Sequence, residues 1–148
     1  MAPRSAAERK ADTLRLLQTE EDAWFATAGD DGQPVLVPLS LCWDGDLLTM
    51  TTTKTSPTVR NAAASGRARV AVGATRDVVM IDGAVKVLPI AGVPTSVTTA
   101  FVERTGWDPA HNDGEWVYLR IRPQRIQAWR EADEIAGRTI MRDGRWLV

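Results

Sequence analysis

The sequence predicts a mainly β protein: a closed or nearly closed antiparallel barrel of six or seven strands, with one helix before the strands and two inserted among them. Three observations lead to this fold class. Short runs rich in β-branched and aromatic residues recur along the chain, several with apolar residues at alternate positions. Tight-turn sequences such as Asp44-Gly45 join neighbouring runs. A length of 148 residues suits one domain, residues 1–148, with one core.

The first third of the chain is predicted to form a helix and then a β-hairpin. A capping-box spacing between Ser5 and Glu8 starts an amphipathic helix over residues 5–19. Residues 23–28 and 34–43 read as strands joined by a Gly-Asp-Asp-Gly turn. Pro38 has no N–H to donate, so we expect the second strand to lie at an edge or beside a bulge.

A third strand, residues 47–53, ends in a corner that is suited to binding an anion. Ser56 is a good N-cap, Pro57 fits the first helical position, and Gly66 ends the predicted helix. The first turn of such a helix offers free N–H groups and the positive end of the helix dipole. Threonine-rich corners that bind nothing are also common, so the pattern leaves both readings open. Further hydroxyl donors and cations at the corner are Thr51, Thr52, Thr53, Thr55, Lys54 and Arg60.

The remaining chain continues the alternation of strands with one more helix. Residues 67–74 and 77–88 are predicted strands, and residues 95–105 are a predicted helix. Residues 115–122 and 124–130 read as two further strands, separated at Pro123. The apolar residues 146–148 at the end are expected to pack against this subunit or a partner.

Composition and charge exclude several classes of function. A formal charge of −1 gives no overall attraction to nucleic acid or to an anionic membrane surface. No apolar run approaches the roughly 20 residues of a membrane span, and we expect a cytoplasmic protein. Cys42 is the only cysteine and lies in an apolar run, which predicts a buried, inert thiol. His111 is the only histidine, and we expect no metal site.

Three arginines flank one predicted strand and have two interpretations. Arg67, Arg69 and Arg76 either form a basic rim or belong to an ordinary solvated face. The sequence alone favours neither interpretation.

Several short sequence segments, in this order along the chain, resemble those of a known family. They are WFATAGDDGQP from Trp24, VPLSLCWDGDLL from Val37, TTT from Thr51 with Ser56, Arg60 and Asn61, RARV from Arg67 and, more weakly, WVYLRIRP from Trp116. Together they resemble the pyridoxamine 5′-phosphate oxidase-like split β-barrel family, which binds FMN or the deazaflavin F-420. The resemblance implies a homodimer of six-stranded antiparallel split barrels, with a cofactor in each of two grooves between the subunits.

Position by position, the resemblance also implies cofactor-binding residues. Beside the ring system they are Pro38, Leu39 and Ser40, and near the phosphate they are Thr51, Thr52, Thr53, Ser56, Arg60 and Asn61. Many family members carry basic residues directly after the corner serine, where this chain has Pro57 and Thr58. Losing such a contact weakens binding by roughly 1.5–3 kcal/mol, so Lys54 or Arg60 would have to substitute. No catalytic residue carries over.

The expected function is therefore an FMN- or F-420-dependent oxidoreductase that reduces a small organic substrate. The sequence does not choose between the two cofactors. Two alternatives stay open: a non-catalytic protein that binds or stores FMN, heme or another flat ligand, and a split-barrel dimer that has lost its cofactor.

Overall fold

A computed structural model describes residues 2–148. The three α-helices and eight strands, in chain order, are α1 (Ala6–Thr19), β1 (Asp22–Ala28), β2 (Pro34–Trp43), β3 (Leu48–Thr53), α2 (Pro57–Ser65), β4 (Arg67–Val72), β5 (Val78–Pro89), α3 (Thr95–Thr105), β6 (Trp116–Trp129), β7 (Thr139–Arg142) and β8 (Arg145–Trp146).

Six antiparallel strands close into a barrel. Their order is β3-β2-β1-β4-β5-β6, and β6 pairs back with β3 to complete the ring. β7 pairs with β6 at Ile126 and Gln127, beyond the residues of β6 that pair with β3, and β8 pairs with β7. The predicted fold class, a mainly β six-stranded antiparallel barrel with an N-terminal helix and two inserted helices, is confirmed.

The barrel interior is filled by large apolar side chains from every strand of the ring. Phe25, Met50, Ile81 and Leu119 are fully buried there, and Leu17 of α1 joins the same cluster. A second, smaller cluster lies beneath α3 and consists of Cys42, Val93, Phe101 and Tyr118, with partly buried neighbours. Cys42 is thus buried, as predicted, and its burial raises the pKa of the thiol.

Two helices start where their capping residues predict. Ser5 Oγ accepts from the amide of Glu8 at 3.2 Å, and the Glu8 carboxylate accepts from the amide of Ser5 at 2.7 Å. At α2, Ser56 Oγ accepts from the amide of Val59 at 3.3 Å. Gly66 ends that helix with a φ of 66°, a left-handed conformation that glycine adopts without strain.

β6 corrects one prediction. Residues 115–122 and 124–130 were predicted as two strands, but Trp116–Trp129 forms one continuous strand through Pro123. Pro123 faces Gly83 of β5, where the register shifts. At this bulge the missing N–H of proline is tolerated, because the regular ladder is already interrupted.

β2 has a free edge at Pro38, which confirms the predicted edge position. Along residues 34–40, β2 pairs with β1 alone, and it pairs with β3 only along residues 41–43. A proline in this half of the strand leaves no bond to a second neighbour unmade.

One of the three apolar C-terminal residues, Trp146, packs on its own subunit. Trp146 lies against the barrel core, and the Lys10 ammonium of α1 sits 4.9 Å from the centre of its ring. Lys10 Nζ also donates to the carbonyl of Val148 at 2.8 Å. The expectation that this apolar segment packs is met within the subunit for Trp146 alone, since Leu147 and Val148 stay 51% and 46% exposed.

A buried carboxylate ties the N-terminal segment to the turn after β6. Glu134 is 3% exposed and accepts from the Arg4 amide at 2.8 Å, from Arg4 Nη2 at 2.8 Å and from the Arg130 amide at 2.9 Å. Arg4 also contacts Asp12 at 2.9 Å, which extends the network onto α1.

Within residues 2–148, none of the helices combines the length and the apolar character needed to cross a membrane. The same residues include no group of three or more histidine, cysteine, aspartate or glutamate side chains placed to hold a metal ion.

Candidate functional site

The β2–β3 hairpin opens part-way along its length, and the predicted site residues lie at this opening. The two strands pair only where residues 41–43 face residues 48–50. Beyond that point β2 follows β1, whereas β3 follows β6 through residues 51–53. The residues predicted beside the ring, 38–40, therefore lie on one arm of the opening. Those predicted near the phosphate lie on the other arm and on α2.

The start of α2 offers one backbone donor. Pro57 has no N–H, and the amides of Val59 and Arg60 bond to the side chain and carbonyl of Ser56 at 3.3 and 3.2 Å. The Thr58 amide finds no acceptor among residues 2–148, and the Thr58 side chain is buried. The first turn of α2 therefore presents fewer free N–H groups than a helix start without proline: the Thr58 amide is unpartnered, in a residue that is 2% exposed, and the exposed Thr55 before the helix has a second amide with no partner in the described chain.

The end of β3 adds hydroxyl groups, although not all are equally available. Thr51 is 2% exposed, and its hydroxyl donates to the carbonyl of Val117 at 2.8 Å. Thr52 and Thr53 are half-buried, and no protein partner for their hydroxyls is present in residues 2–148. Of the three threonines, Thr52 and Thr53 are therefore the ones able to bind a ligand, while Thr51 fixes β3 against β6.

Two basic side chains flank the corner, and only one of them forms an ion pair with a described residue. Lys54 Nζ pairs with the Glu115 carboxylate at 3.2 Å, and both side chains are largely exposed. Such an exposed pair is weak and leaves the ammonium able to exchange partners. Arg60 is exposed and makes no ion pair within the described residues 2–148. Arg60 is thus the cation that an incoming anion can contact at no cost to an existing pair.

Asn61 has an internal role. Asn61 Nδ2 donates to Thr27 Oγ1 at 3.3 Å and so ties α2 to β1.

The ring-side arm consists of residues 38–40 of β2. There Leu39 packs against the barrel core, and Pro38 is exposed on the opposite face. Ser40 Oγ accepts from Trp107 Nε1 at 3.3 Å and donates to Asp22 at 3.4 Å, which leaves Pro38 as the most open residue of this arm.

An aromatic cluster that the sequence did not single out lies beside Ser40. Phe101 packs edge-to-face on Trp107 and on Tyr118, and Trp107 packs in the same way on Trp116. The Tyr118 hydroxyl is buried without a partner in residues 2–148, and burial raises its pKa to about 12. Residues 95–105 and 115–122 were predicted as a helix and a strand, but neither pattern revealed that the two pack on each other.

The outer face of the barrel carries an apolar patch, in which Trp24, Leu36 and Pro38 are exposed and Ala71 and Met80 are half-buried. Trp24 stands opposite Pro38 on one side and Ala71 on the other, and Ala71 stands opposite Met80. Trp24 is 49% exposed and Leu36 is 60% exposed. Adjacent exposed apolar residues of this kind mark interaction surfaces, and Pro38 belongs both to this patch and to the ring-side arm.

Comparison with known proteins identifies the family. A model of the pyridoxamine 5′-phosphate oxidase family matches residues 10–130. The chain belongs to the pyridoxamine 5′-phosphate oxidase family. Membership confirms the predicted resemblance, and the matched region contains every residue predicted for the site. No curated protein matches the sequence.

Solved structures support the same fold for this pyridoxamine 5′-phosphate oxidase family chain. An F420 reductase is 21% identical with a TM-score of 0.62, covering 76% of this chain and 93% of its own. General Stress Protein 26 from Bacillus anthracis is 15% identical with a TM-score of 0.65, covering 81% and 92%. A FAD-binding protein from Mesorhizobium loti is 24% identical with a TM-score of 0.57, covering 84% and 93%. At these identities the likeness is one of fold.

Proposed function

We propose that this chain is an oxidoreductase that binds a flavin-type cofactor, FMN or F-420, and reduces a small organic substrate. The observation that carries the proposal is the corner between β3 and α2. There the Thr58 amide, the Arg60 guanidinium and the hydroxyls of Thr52 and Thr53, one on each face of β3, have no partner within residues 2–148, at the end of a strand and the start of a helix in a flavin-binding family of folds. When bound, the cofactor supplies the redox chemistry, and the chain supplies position and electrostatics.

The residues of the corner fit a phosphate group. Thr58 N–H, the hydroxyls of Thr52 and Thr53, and the Arg60 guanidinium are donors, and the positive end of the α2 dipole adds attraction. Ser56 positions the turn rather than the ligand, because its side chain already caps Val59. Pro57 has no N–H to donate, so we expect the affinity for the phosphate to depend strongly on Arg60.

The ring-side arm fits a flat apolar group. Pro38 is exposed, carries no N–H and stands on a free strand edge, so it offers a surface without a backbone donor. Trp24 lies directly across from it on β1. A ring system placed along this edge would cover apolar surface that the single chain leaves exposed, which is favourable at about 25 cal/mol per Å² of apolar area.

We further propose that the functional unit is a homodimer formed through the apolar patch. The patch is continuous with the ring-side arm because both contain Pro38. A second copy seated on Trp24 and Leu36 would therefore stand next to the opening of the β2–β3 hairpin. The cofactor would then lie in a crevice with one wall from each chain.

Cofactor titration tests the proposal. The purified protein is examined for a flavin-type absorption spectrum and then titrated separately with FMN and F-420. We expect one of them to bind with a Kd below about 100 μM, equivalent to about 5.5 kcal/mol. The double variant Ser56→Ala/Arg60→Ala should weaken that binding at least about tenfold, because it removes the cap and the unpaired cation.

A matched control carries the same changes away from the corner. Ser96→Ala/Arg76→Ala alters two exposed side chains on α3 and on the turn before β5, and it should leave the Kd within about twofold. Failure of both cofactors to bind below 100 μM would overturn the proposal. Tight binding without reduction of any electron acceptor would instead assign the protein to ligand storage. A heme titration would then test whether the stored ligand is heme.

A further inference from the structure

A wide groove on the outer face of β4, β5 and β6 is lined by arginines and lies apart from the corner. Its volume is about 1100 Å³, and the β7–β8 turn borders one end. Ser65, at the end of α2 opposite Ser56, also lines it. Nine helical residues span about 13 Å, so Ser65 lies about that far from Ser56, although Thr27 in the lining accepts a hydrogen bond from Asn61 of α2. The charged residues that line it are Arg67, Arg69, Arg122, Arg125, Arg142, Asp82 and Asp143.

Strand register arranges four of these arginines on the two sides of β5. Arg67 and Arg122 stand on either side of Ala84, one on β4 and one on β6. Arg69 and Arg125 flank Asp82 in the same way. Because neighbouring strands are about 4.8 Å apart, the backbones of β4 and β6 lie about 10 Å apart across the groove. Alternation on β4, and on β6 the register shift between Asp82 and Gly83, thus produce two facing rows of guanidinium groups.

The acids of the groove do not balance its positive charge. Asp82 is committed to Arg69, which donates to it from two nitrogens, one bond being 3.1 Å. Arg122 reaches Asp46 of the β2–β3 turn at 3.4 Å, and both side chains are more than half exposed. Such an exposed pair is weak. Five arginines and two aspartates leave a local excess of positive charge in a chain whose formal charge is −1.

Three of the arginines make no ion pair. Within residues 2–148, Arg67 and Arg142 have no side-chain partner, and both are exposed. Arg125 lies 3.1 Å from the side-chain amide of Gln127, which is a neutral acceptor. An anion entering the groove would therefore meet guanidinium groups that need not give up a carboxylate first.

We infer that this groove binds a linear oligophosphate chain, either free or as part of a nucleoside triphosphate. Each phosphate group presents oxygen atoms in several directions, so a chain lying along β5 can accept from both arginine rows at once. A carboxylate presents two oxygens in one plane and is satisfied by a single guanidinium. The small residues Ala26 and Gly83 in the lining leave room for the chain between the rows.

Calorimetric titration at constant ionic strength, near 0.15 M salt, tests the inference with three probes: inorganic tripolyphosphate, a nucleoside triphosphate and orthophosphate. We expect tripolyphosphate to bind at least about tenfold more tightly than orthophosphate, because it contacts both rows. Equal affinity of the nucleoside triphosphate would identify the phosphate chain as the recognised element. Tighter binding of the nucleotide would identify a nucleotide as the ligand and also support the inference.

Matched double variants locate the binding. Arg67→Ala/Arg142→Ala removes two unpaired groove arginines and should weaken tripolyphosphate binding at least about tenfold. Arg15→Ala/Arg76→Ala removes the same charge from exposed sites outside the groove and should change the Kd less than about twofold. Thermal unfolding of each variant checks that the fold is kept.

Three results would overturn the inference. One is equal binding of tripolyphosphate and orthophosphate, and another is equal weakening by the two double variants. The third is loss of tripolyphosphate binding in Ser56→Ala/Arg60→Ala, since the anion would then occupy the corner. Failure of flavin-type cofactors to bind has no bearing on these measurements, because they probe a different part of the molecule.

Discussion

At the scale of single residues, the carboxylate of Glu134 shows how burial and hydrogen bonding set a charge state. It is 3% exposed and accepts hydrogen bonds from Arg4 and Arg130. The hydrogen bonds from Arg4 hold its pKa at about 2, well below the ordinary value of 4.5. The ionised form is therefore the one that the fold stabilises.

The stability of the protein should fall in acid because of this group. Its pKa is lower in the folded state, so its contribution is complete above pH 4.5 and is lost as the pH falls from 4.5 towards 2. We expect Glu134→Gln to cost about 3 kcal/mol of unfolding free energy at pH 7, because it removes the buried negative charge that pairs with Arg4 and leaves more exposed carboxylates, those of Asp12 and Asp77, beside it. Urea unfolding of both proteins at pH 7 and pH 2.5 measures the difference.

The gap between wild type and Glu134→Gln should shrink markedly at the lower pH, since the carboxylate is then protonated in the unfolded wild type and still largely ionised in the folded one, which favours unfolding. Glu131→Gln serves as control, because Glu131 forms only an exposed pair with Arg76 and should cost less than about 1 kcal/mol. An unchanged gap between pH 7 and pH 2.5 would contradict the role assigned to the charge of Glu134.

Residue-scale prediction from sequence succeeded where the partners are close along the chain. The caps at Ser5 and Ser56 bond to amides three residues away, so spacing alone revealed them. Ser40 is different, because it meets Asp22 and Trp107 through strand pairing and the inserted helix α3. Contacts of that separation depend on the fold, and no local pattern of residues indicates them.

At the scale of elements, a break in the strand was predicted at Pro123, because proline has no N–H to donate to a neighbouring strand. The structure keeps β6 continuous because Pro123 falls between its pairing with β3, at residues 116–121, and its pairing with β7, at residues 126–127. Opposite it, Gly83 lies at the register shift of β5. Only knowledge of both neighbouring strands could have shown that this position tolerates proline.

Gly83→Ala should disrupt this crossing of β5 and β6. A Cβ atom at Gly83 would lie 2.6 Å from Ile121 Cγ2 and 2.7 Å from the backbone oxygen of Arg122. The strands would have to separate, and we expect a loss of roughly 1–3 kcal/mol of unfolding free energy. Chemical denaturation of the variant and the wild type gives this value directly.

Gly29→Ala is a suitable control for that variant. Its Cβ would approach only the end of the flexible Asp31 side chain, at 2.9 Å, and Asp31 can move away. We expect a change below about 0.5 kcal/mol. Equal effects of the two alanines would show that close packing at Gly83 is not what limits the strand crossing.

At the scale of the whole molecule, strand count and turn spacing were enough to predict a barrel, but not which parts of it would remain exposed. The apolar patch arises because Trp24, Ala71 and Met80 align across three strands that are distant in sequence. The arginine groove arises in the same way: Arg67 and Arg69 were recognised as a candidate rim, whereas Arg76 pairs with Glu131 elsewhere. Register between strands, which the sequence does not specify, decided both surfaces.

The proposed dimer should depend on the apolar patch. Leu36→Asp places a charge at a side chain that is 60% exposed in the single chain, so the fold itself should tolerate it. In a dimer the charge would be buried without a partner, and we expect the free energy of association to become less favourable by at least about 2 kcal/mol, so that the dimer dissociates more readily. Sedimentation analysis over a range of concentrations measures the dimer fraction.

Leu147→Asp is the matched control, because Leu147 is 51% exposed and lies outside the patch. It should leave the association unchanged. A wild-type protein that is monomeric at all concentrations, or two variants that associate equally well, would contradict the dimer and with it the two-walled crevice.

Closure of the ring through β3 and β6 has a kinetic consequence. The paired residues of these strands, such as Leu48 and Ile121, are roughly 70 residues apart in the chain, so their meeting costs considerable loop entropy. Neighbouring hairpins such as β1–β2 need far shorter loops. We therefore expect the chain to form an open, curved sheet first and to pair β3 with β6 late, so that this pairing limits the folding rate.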